Sequence, residues 1–429
     1  LPRSGRLRTR LRNSKGCEKM PGKLAQSSTG DPRYRRFWPS IRQPLPMVEP
    51  SANQLAARHV CLLSRRQLRY DPRMARTAQA LVDAGARVSL VVTSMDDQVE
   101  RHYRDDAGFD IYLVPRPVPK PLAPAADGKI RPGLLDVLWR YLRGARTLFR
   151  LGRQAWRLNA DVYQASDLQP LPVGWLVSTL RKKPLIYEAR EISSDREAFQ
   201  RFSRVVMLVE GFFARRAAGF ITTTNMRAQH FIESYQLQAV TVVQNRPPYS
   251  AVDDTGLLRR RIGLDGPAVI CLYQGGLQQG RGLVEMLQAA VEVPDAHFVF
   301  LGAGVLEQGL RRAAAELGLS ERTHFLPPVP FRELPAWTAS ADIGLQLLQN
   351  SCLNHYTTDS NKLFEYAMAG LPVVASDFPE IRAILDEWRF GIAVDPADRK
   401  AVVNALVSLT NDEARRRRLT EAAKRAAKH

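Results

Sequence analysis

Short apolar runs alternate with stretches of helical period from His59 onward, and this alternation decides how the chain is read. HVCLL (His59–Leu63) and RVSLVVT (Arg87–Thr93) have the look of buried strands, and the segment between them predicts a helix from about Asp71 to Ala84, closed by Gly85. Strand, helix and strand in that order open a parallel sheet. Further strands are predicted at Phe109–Val114, Asp161–Ser166, Pro184–Ala189, Phe220–Thr223 and Val240–Val243, with helices between them. The pattern fades over Asn245–Gly263, where turn-forming and charged residues dominate, so an interdomain linker is placed at 246–263. Strands then resume at Ala268–Tyr273, Phe298–Leu301, His324–Leu326, Asp342–Leu348 and Val373–Ser376, again separated by helical stretches. The expectation is an α/β protein with domains at 58–245 and 264–411 and a last helix at 412–429 that packs back on the first domain.

Composition supports two cores: 429 residues are too many for one ordinary domain, and 45% are hydrophobic. Cys17, Cys61, Cys271 and Cys352 form no CxxC pair, which suits a reducing compartment and argues against a disulfide framework. A cytoplasmic location, associated with the inner face of the cytoplasmic membrane, is expected, since no apolar run is long enough to span and the amino end lacks a secretory apolar centre. The net charge of +19 is uneven, with twelve Lys or Arg against three acids in the first fifty residues. That leader, 1–57, reads as disordered and basic; with Met20 and Met47 as candidate starts, 1–46 is expected to be non-native, and no nucleic acid partner is expected. A helix predicted at 134–158 gathers Arg140, Arg143, Arg146, Arg150, Arg153 and Arg157 on one face, with Leu138, Leu142, Phe149 and Trp156 elsewhere. Two readings stay open: a helix lying on an anionic membrane, or a solvated basic face whose apolar side is in the core.

The chemistry concentrates in TDSNKLFEYAMAGLPVVASDFP, Thr358–Pro379. Asp359 or Ser360 is placed to cap a helix that Gly370 ends and Pro372 prevents from continuing. Free N–H groups and the positive end of the peptide dipoles favour an anion at that helix start, where Lys362 stands in the first turn. Glu365, one turn on, suits sugar hydroxyls rather than phosphate. The loop QGGLQQGRGL supplies a second helix start beside Arg281. Asp377 and Glu380 match a capping box around Pro379. In the first domain the loop SRRQLRYDPR is not GxGxxG and offers Arg69, Asp71 and Arg73, while YEAREI ends a strand with Arg190 and Glu191, where open α/β sheets place ligands. No His, Asp and Glu cluster has metal-ligand spacing.

The string SNKLFEYAMAGLPVVAS resembles the donor-site signature of GT-B glycosyltransferases, particularly family four. The resemblance implies two Rossmann-like parallel-sheet domains facing each other across a cleft. It implies a nucleoside-diphosphate sugar held by Gly275, Gly276, Arg281, Phe325, Asp359, Ser360, Asn361, Lys362, Leu363 and Glu365, with Arg190, Glu191, Lys362 and Arg281 as catalytic candidates. Arg69, Asp71 and Arg73 would meet the acceptor. Three positions depart from the family pattern: Gly276 replaces a basic residue of the diphosphate clamp, Arg190 replaces a histidine, and Thr357 replaces the first of two glutamates. The expected activity is transfer of a sugar to a hydroxyl acceptor, with retention and without metal or other cofactor. A lipid-linked glycan or polysaccharide precursor, in peripheral contact with anionic membrane, is the implied acceptor. The alternatives are a sugar-nucleotide 2-epimerase and a non-catalytic nucleotide-binding partner.

Overall fold

The computed structural model describes residues 55–68, 71–95, 101–116, 134–250 and 252–428. Most of the basic leader, Arg69 and the proline-rich stretch before Leu134 lie outside the described residues, as do the side chains of Leu138 and Arg140. The described chain forms two units, divided between Gln244 and Asn245.

The N-terminal unit runs β1 (His59–Ser64), α1 (Pro72–Asp83), β2 (Arg87–Ser94), β3 (His102–Arg104), β4 (Asp110–Pro115), α2 (Leu134–Leu158), β5 (Val162–Ser166), α3 (Leu171–Arg181), β6 (Leu185–Ala189), α4 (Ser203–Ala214), β7 (Gly219–Thr222), α5 (Asn225–Tyr235) and β8 (Thr241–Val242). Its sheet has the order β3-β4-β2-β1-β5-β6-β7-β8. All pairs are parallel except β3 with β4. The short β3 was not expected, because a three-residue strand shows no alternation. Asp71 caps α1 by accepting the Met74 N–H at 3.1 Å. Met74 and Ala78 then pack on Leu62, Leu90 and Ile111 to fill one face of the sheet. Successive connections run outward from β1 and β5 in opposite directions, so the carboxyl ends of those two strands flank the topological switch.

The C-terminal unit runs α6 (Leu257–Ile262), β9 (Val269–Gln274), α7 (Leu283–Ala290), β10 (Ala296–Leu301), α8 (Glu307–Glu316), β11 (Thr323–Leu326), α9 (Leu334–Thr338), β12 (Ile343–Gln346), α10 (Leu353–Tyr356), α11 (Asn361–Met368), β13 (Val373–Ser376), α12 (Pro379–Trp388), β14 (Gly391–Val394), α13 (Arg399–Asn411) and α14 (Glu413–Ala426). The sheet order β11-β10-β9-β12-β13-β14 is parallel throughout and switches direction between β9 and β12. Part of the expected linker is helical: α6 forms because Leu258 buries completely in the core with Ile270 and Leu272. The capping box is not made. Phe378 is the cap residue of α12 without a side-chain bond, and Asp377 instead accepts from Arg382. The last helix, α14, packs on α11, α12 and α13 of its own unit, burying Ala422 and Ala423.

Burial separates the faces of α2. Thr147, Leu151 and Ala155 face the core, while Leu142, Phe149 and Trp156 are exposed alongside the arginines. Among the described residues no helix is long and apolar enough to cross a membrane.

Candidate functional site

At the switch point of the C-terminal sheet, β9 ends in buried Gln274 and the chain turns through Gly275–Gly282 into α7. This loop is fixed by its neighbours. The Gly275 N–H donates to the Leu301 carbonyl at 2.9 Å, Leu277 N–H to Ala303 at 3.0 Å, and Gln349 N–H to Gly280 at 2.9 Å. Gly282 (φ +71°) starts α7 so close to the Leu347 carbonyl that a Cβ there would overlap its oxygen. Glycine is required at this position by both space and backbone.

Helix α11 reaches the same loop. Its fully buried residues Leu363 and Tyr366 seat it on the sheet, and Tyr366 fits because Gly344 of β12 carries no side chain. The Tyr366 hydroxyl lies 3.1 and 3.2 Å from the Leu272 and Leu345 carbonyls, and 3.3 Å from the Gln274 N–H. So anchored, Lys362 projects its ammonium 5.4 Å from the centre of the Tyr273 ring, and 3.5 Å from where a Cβ on Gly275 would stand. The Tyr273 hydroxyl donates to the Gly276 carbonyl at 2.9 Å. Burial lowers the Lys362 pKa to about 8, and the nearby Arg281 guanidinium adds to the fall while Glu365 opposes it. Among the described residues neither Lys362 nor Arg281 has a carboxylate within 4.0 Å. Glu365 offsets part of this charge, and the two cations still leave a net positive charge that favours an anion.

Glu365 accepts from Gln274 Nε2 at 2.6 Å, and Gln274 Oε1 accepts from Thr338 Oγ1 at 2.8 Å, so its carboxylate is aimed from behind. Ser360 is the residue before α11 and has φ +58° and ψ 130°, a conformation that a serine adopts only under constraint, and its side chain makes no cap bond. Asn361 follows it as the first helical residue, in the turn that carries Lys362.

The other residues expected at the donor site are placed as follows. Leu363 contributes neither side chain nor amide: the one is in the core and the other donates to Ser360 at 3.1 Å. Asp359 is 4% exposed, and Ser360 rather than Asp359 occupies the cap position of α11. Phe325 stacks on Phe300, and its carbonyl accepts from Arg311 at 3.2 Å, which makes it part of the sheet layer. Thr357 is buried with its hydroxyl on the Leu353 carbonyl at 2.8 Å. Two residues went unremarked in the sequence. Gln346 ends β12 buried, with neither side-chain amide atom bonded among the described residues. His355 sits beneath Gly280, its Nδ1 3.0 Å from Ser351 Oγ. A lone Gln in a strand or a lone His in a polar loop carries no periodic signal.

The expected acceptor residues of the N-terminal unit are differently placed. Arg190 donates to Asp71 at 2.6 Å and to Glu188 at 3.3 Å, and Arg73 donates to Glu188 at 2.6 Å and to the Val243 carbonyl at 2.9 Å. All four side chains are buried. Burial works against the charged form of Glu188, yet Arg190 and Arg73 outweigh it and hold the pKa below the ordinary value. Asp71, Arg73 and Arg190 therefore tie strands and helix together instead of facing a ligand. Glu191 remains accessible, at 2.8 Å from Arg196 Nε and 3.8 Å from Arg66 Nη2. With Asp167, bonded to Arg66 at 3.1 Å, these side chains ring the carboxyl ends of β1, β5 and β6. Among the described residues no three His, Cys, Asp or Glu side chains converge as a metal-ligand set.

Comparison with known proteins accounts for both units. A family model described as glycosyl transferases group 1 matches residues 254–426, and one described as a glycosyl transferase 4-like domain matches residues 70–248. D-inositol 3-phosphate glycosyltransferase of Thermomonospora curvata is 29% identical over 186 residues, which are 40% of this chain. The chain spans only 41% of that relative's length. Sucrose-phosphate synthase from Thermosynechococcus elongatus superposes with a TM-score of 0.68 at 14% identity, over 86% of this chain and 94% of its own. Anabaena HepE, solved in complex with UDP, superposes with a TM-score of 0.63 at 16% identity and the same coverage, 86% and 94%. With two switch-point sheets of this kind and each unit matched by its own family model, the chain belongs to the GT-B-fold, family-four-like glycosyltransferases.

Proposed function

We propose that the protein transfers a sugar from a nucleoside-diphosphate donor to a hydroxyl of a membrane-held glycan or polysaccharide precursor, with retention of anomeric configuration. The observation that carries this reading is the buried Lys362 ammonium beside Gly275 with Arg281 near enough to lower its pKa, two cations against the single acid Glu365. A departing diphosphate gains negative charge as the glycosidic bond breaks, and fixed cations already aimed at it lower the barrier. Lys362, Arg281 and the first turn of α11 take that part. Glu365, steered by Gln274, accepts hydrogen bonds from hydroxyls of the donor. HepE was solved with UDP, which supports a nucleotide of this class for the same corner here. Glu191 and Arg66, on accessible loops of the N-terminal unit, are the groups proposed to meet the acceptor. A phosphorylated polyol acceptor, as named for the Thermomonospora relative, suits Arg66.

Neither a metal nor another cofactor is part of the proposal, because the two side-chain cations supply the charge at the leaving group. Chelator treatment is expected to leave turnover unchanged. The direct test is calorimetry with UDP and GDP, followed by transfer assays with a panel of sugar nucleotides on wild type and Lys362→Ala. Loss of nucleotide binding and transfer in the variant is expected; unchanged turnover would remove Lys362 and the donor corner built on it.

A further inference from the structure

Consecutive helices α2, α3 and α4 lie side by side, α2 against α3 and α3 against α4. Their outward side chains are not those of a water-facing layer. On α2, Phe149 is 71% exposed, with Trp156 exposed one heptad further on; on α4, Leu208 is 74% exposed, beside exposed Val205 and Phe212. Leu176 and Leu180 of α3 are exposed as well, and Trp175 of the same helix lies 6.0 Å from the Phe212 ring. An amphipathic helix normally spends its apolar residues on the core, and α2 already does so with Leu151 and Ala155. Its second apolar stripe therefore needs a different partner, since contiguous exposed apolar surface marks interaction sites.

Charge identifies that partner. Arg146 and Arg153 are exposed within one turn of Phe149, and Arg201, Arg204 and Arg216 are exposed at α4. The Arg181 guanidinium lies 3.7 Å over the Trp156 ring, and that of Arg216 lies 3.7 Å over Phe212. Acids are few: α2 carries Asp136 in its first turn, α3 has none, and the single acid of α4, Glu210, turns inward to Tyr187, Tyr235 and Ser193. We propose that the outer face of α2, α3 and α4 docks on an anionic phospholipid bilayer. The arginine heads meet lipid phosphates, and Phe149, Trp156, Leu208 and Phe212 enter the boundary between headgroups and acyl chains. A second copy of this chain is disfavoured as occupant, because a face paired with itself sets arginine against arginine. The inference rests on and deepens the reading of a membrane-held acceptor, but vesicle binding is measured without donor or acceptor, so its failure is separable from failure of transfer.

The full chain is sedimented with vesicles of phosphatidylcholine alone and of phosphatidylcholine mixed equally with phosphatidylglycerol. Three proteins are compared: wild type, Arg146→Gln with Arg153→Gln, and Phe149→Glu with Leu208→Glu. All four positions are on the surface, so unchanged melting and UDP binding are required of both variants. Because the basic leader also attracts anionic lipid, the result is read from the difference between proteins. Wild type is expected to bind only the anionic vesicles, the arginine pair to bind about fivefold more weakly per charge removed, and the glutamate pair to bind weakest. Absence of wild-type binding, equal binding to both vesicles, or unchanged binding by the glutamate pair would overturn the proposal. So would a dimer in sedimentation velocity that the glutamate pair dissolves, since the face would then be a self-interface.

Discussion

The ammonium of Lys362 is the most exacting point of the proposed donor site, because its titration lies inside the pH range an assay can reach. Its pKa is lowered from 10.5 to about 8, first by burial and then by Arg281. A depressed lysine is charged at some cost to the fold below that value, and the cost fades as pH rises from about 8 toward 10.5. Binding runs the other way: the diphosphate wants the proton present. About nine-tenths of the free enzyme carries it at pH 7 and about one-tenth at pH 9. Donor kcat/KM is therefore expected to fall about tenfold across those two units. The nucleotide's own phosphate ionises near pH 6 and is silent in this window.

The perturbation is Lys362→Met. A charge-assisted hydrogen bond to phosphate contributes about 1.5–3 kcal/mol, so UDP affinity is expected to drop roughly ten- to a hundredfold at pH 7. The fall above pH 8 should vanish, because the titrating group is gone. Calorimetry at pH 8.5 in two buffers of different ionisation enthalpy adds an independent readout: wild type takes up protons on binding UDP, and the variant does not. A wild-type profile flat from pH 7 to 9, or the same fall persisting in Lys362→Met, would refute the assignment of that titration to the donor corner.

Gly282→Ala forces a side chain against the Leu347 carbonyl at φ +71°; a cost on the order of 1–3 kcal/mol should appear as a lower Tm together with a smaller stabilisation by UDP. Arg190→Met leaves Asp71 and Glu188 buried without their shared cation, so a loss of about 3–5 kcal/mol in denaturant unfolding is expected, whereas a change confined to acceptor KM would mean that Arg190 faces substrate after all. Glu210, its pKa raised by burial against the pull of Tyr187, Tyr235 and Ser193, binds its proton more tightly folded than unfolded. The stability this contributes is complete below pH 4.5 and is lost as pH rises through the folded value. Glu210→Gln should flatten that part of the stability profile, which paired chemical denaturation curves from pH 4 to 8 will show.

The alternation of strands and helices was legible because burial on both faces of a parallel sheet forces continuous apolar runs, as in HVCLL of β1 and VICLYQ of β9. What escaped was set by tertiary partners. Helix α6 was hidden in charged composition, since one buried residue, Leu258, is enough to dock it. Arg190 and Asp71 were read as ligand-facing from their place at strand and helix ends, yet they bond each other across a separation of 119 residues. No local pattern announces such a pair. Gln346 was passed over because a polar residue ending an apolar strand looks like its boundary, whereas here the side chain is 1% exposed.

The departures at Gly276 and Thr357 gain a physical meaning from the geometry. A loop that lacks a basic side chain at 276 still receives a cation, because the Lys362 ammonium arrives from α11 and stands 3.5 Å from the Cβ position of Gly275. The absent glutamate fits the same account. Thr357 is 1% exposed, so a carboxylate in its place would be buried, and its charge would cost several kcal/mol unless paired. The corner keeps Glu365 as its acid and Arg281 with Lys362 as its bases, which leaves an excess positive charge for an anion to satisfy.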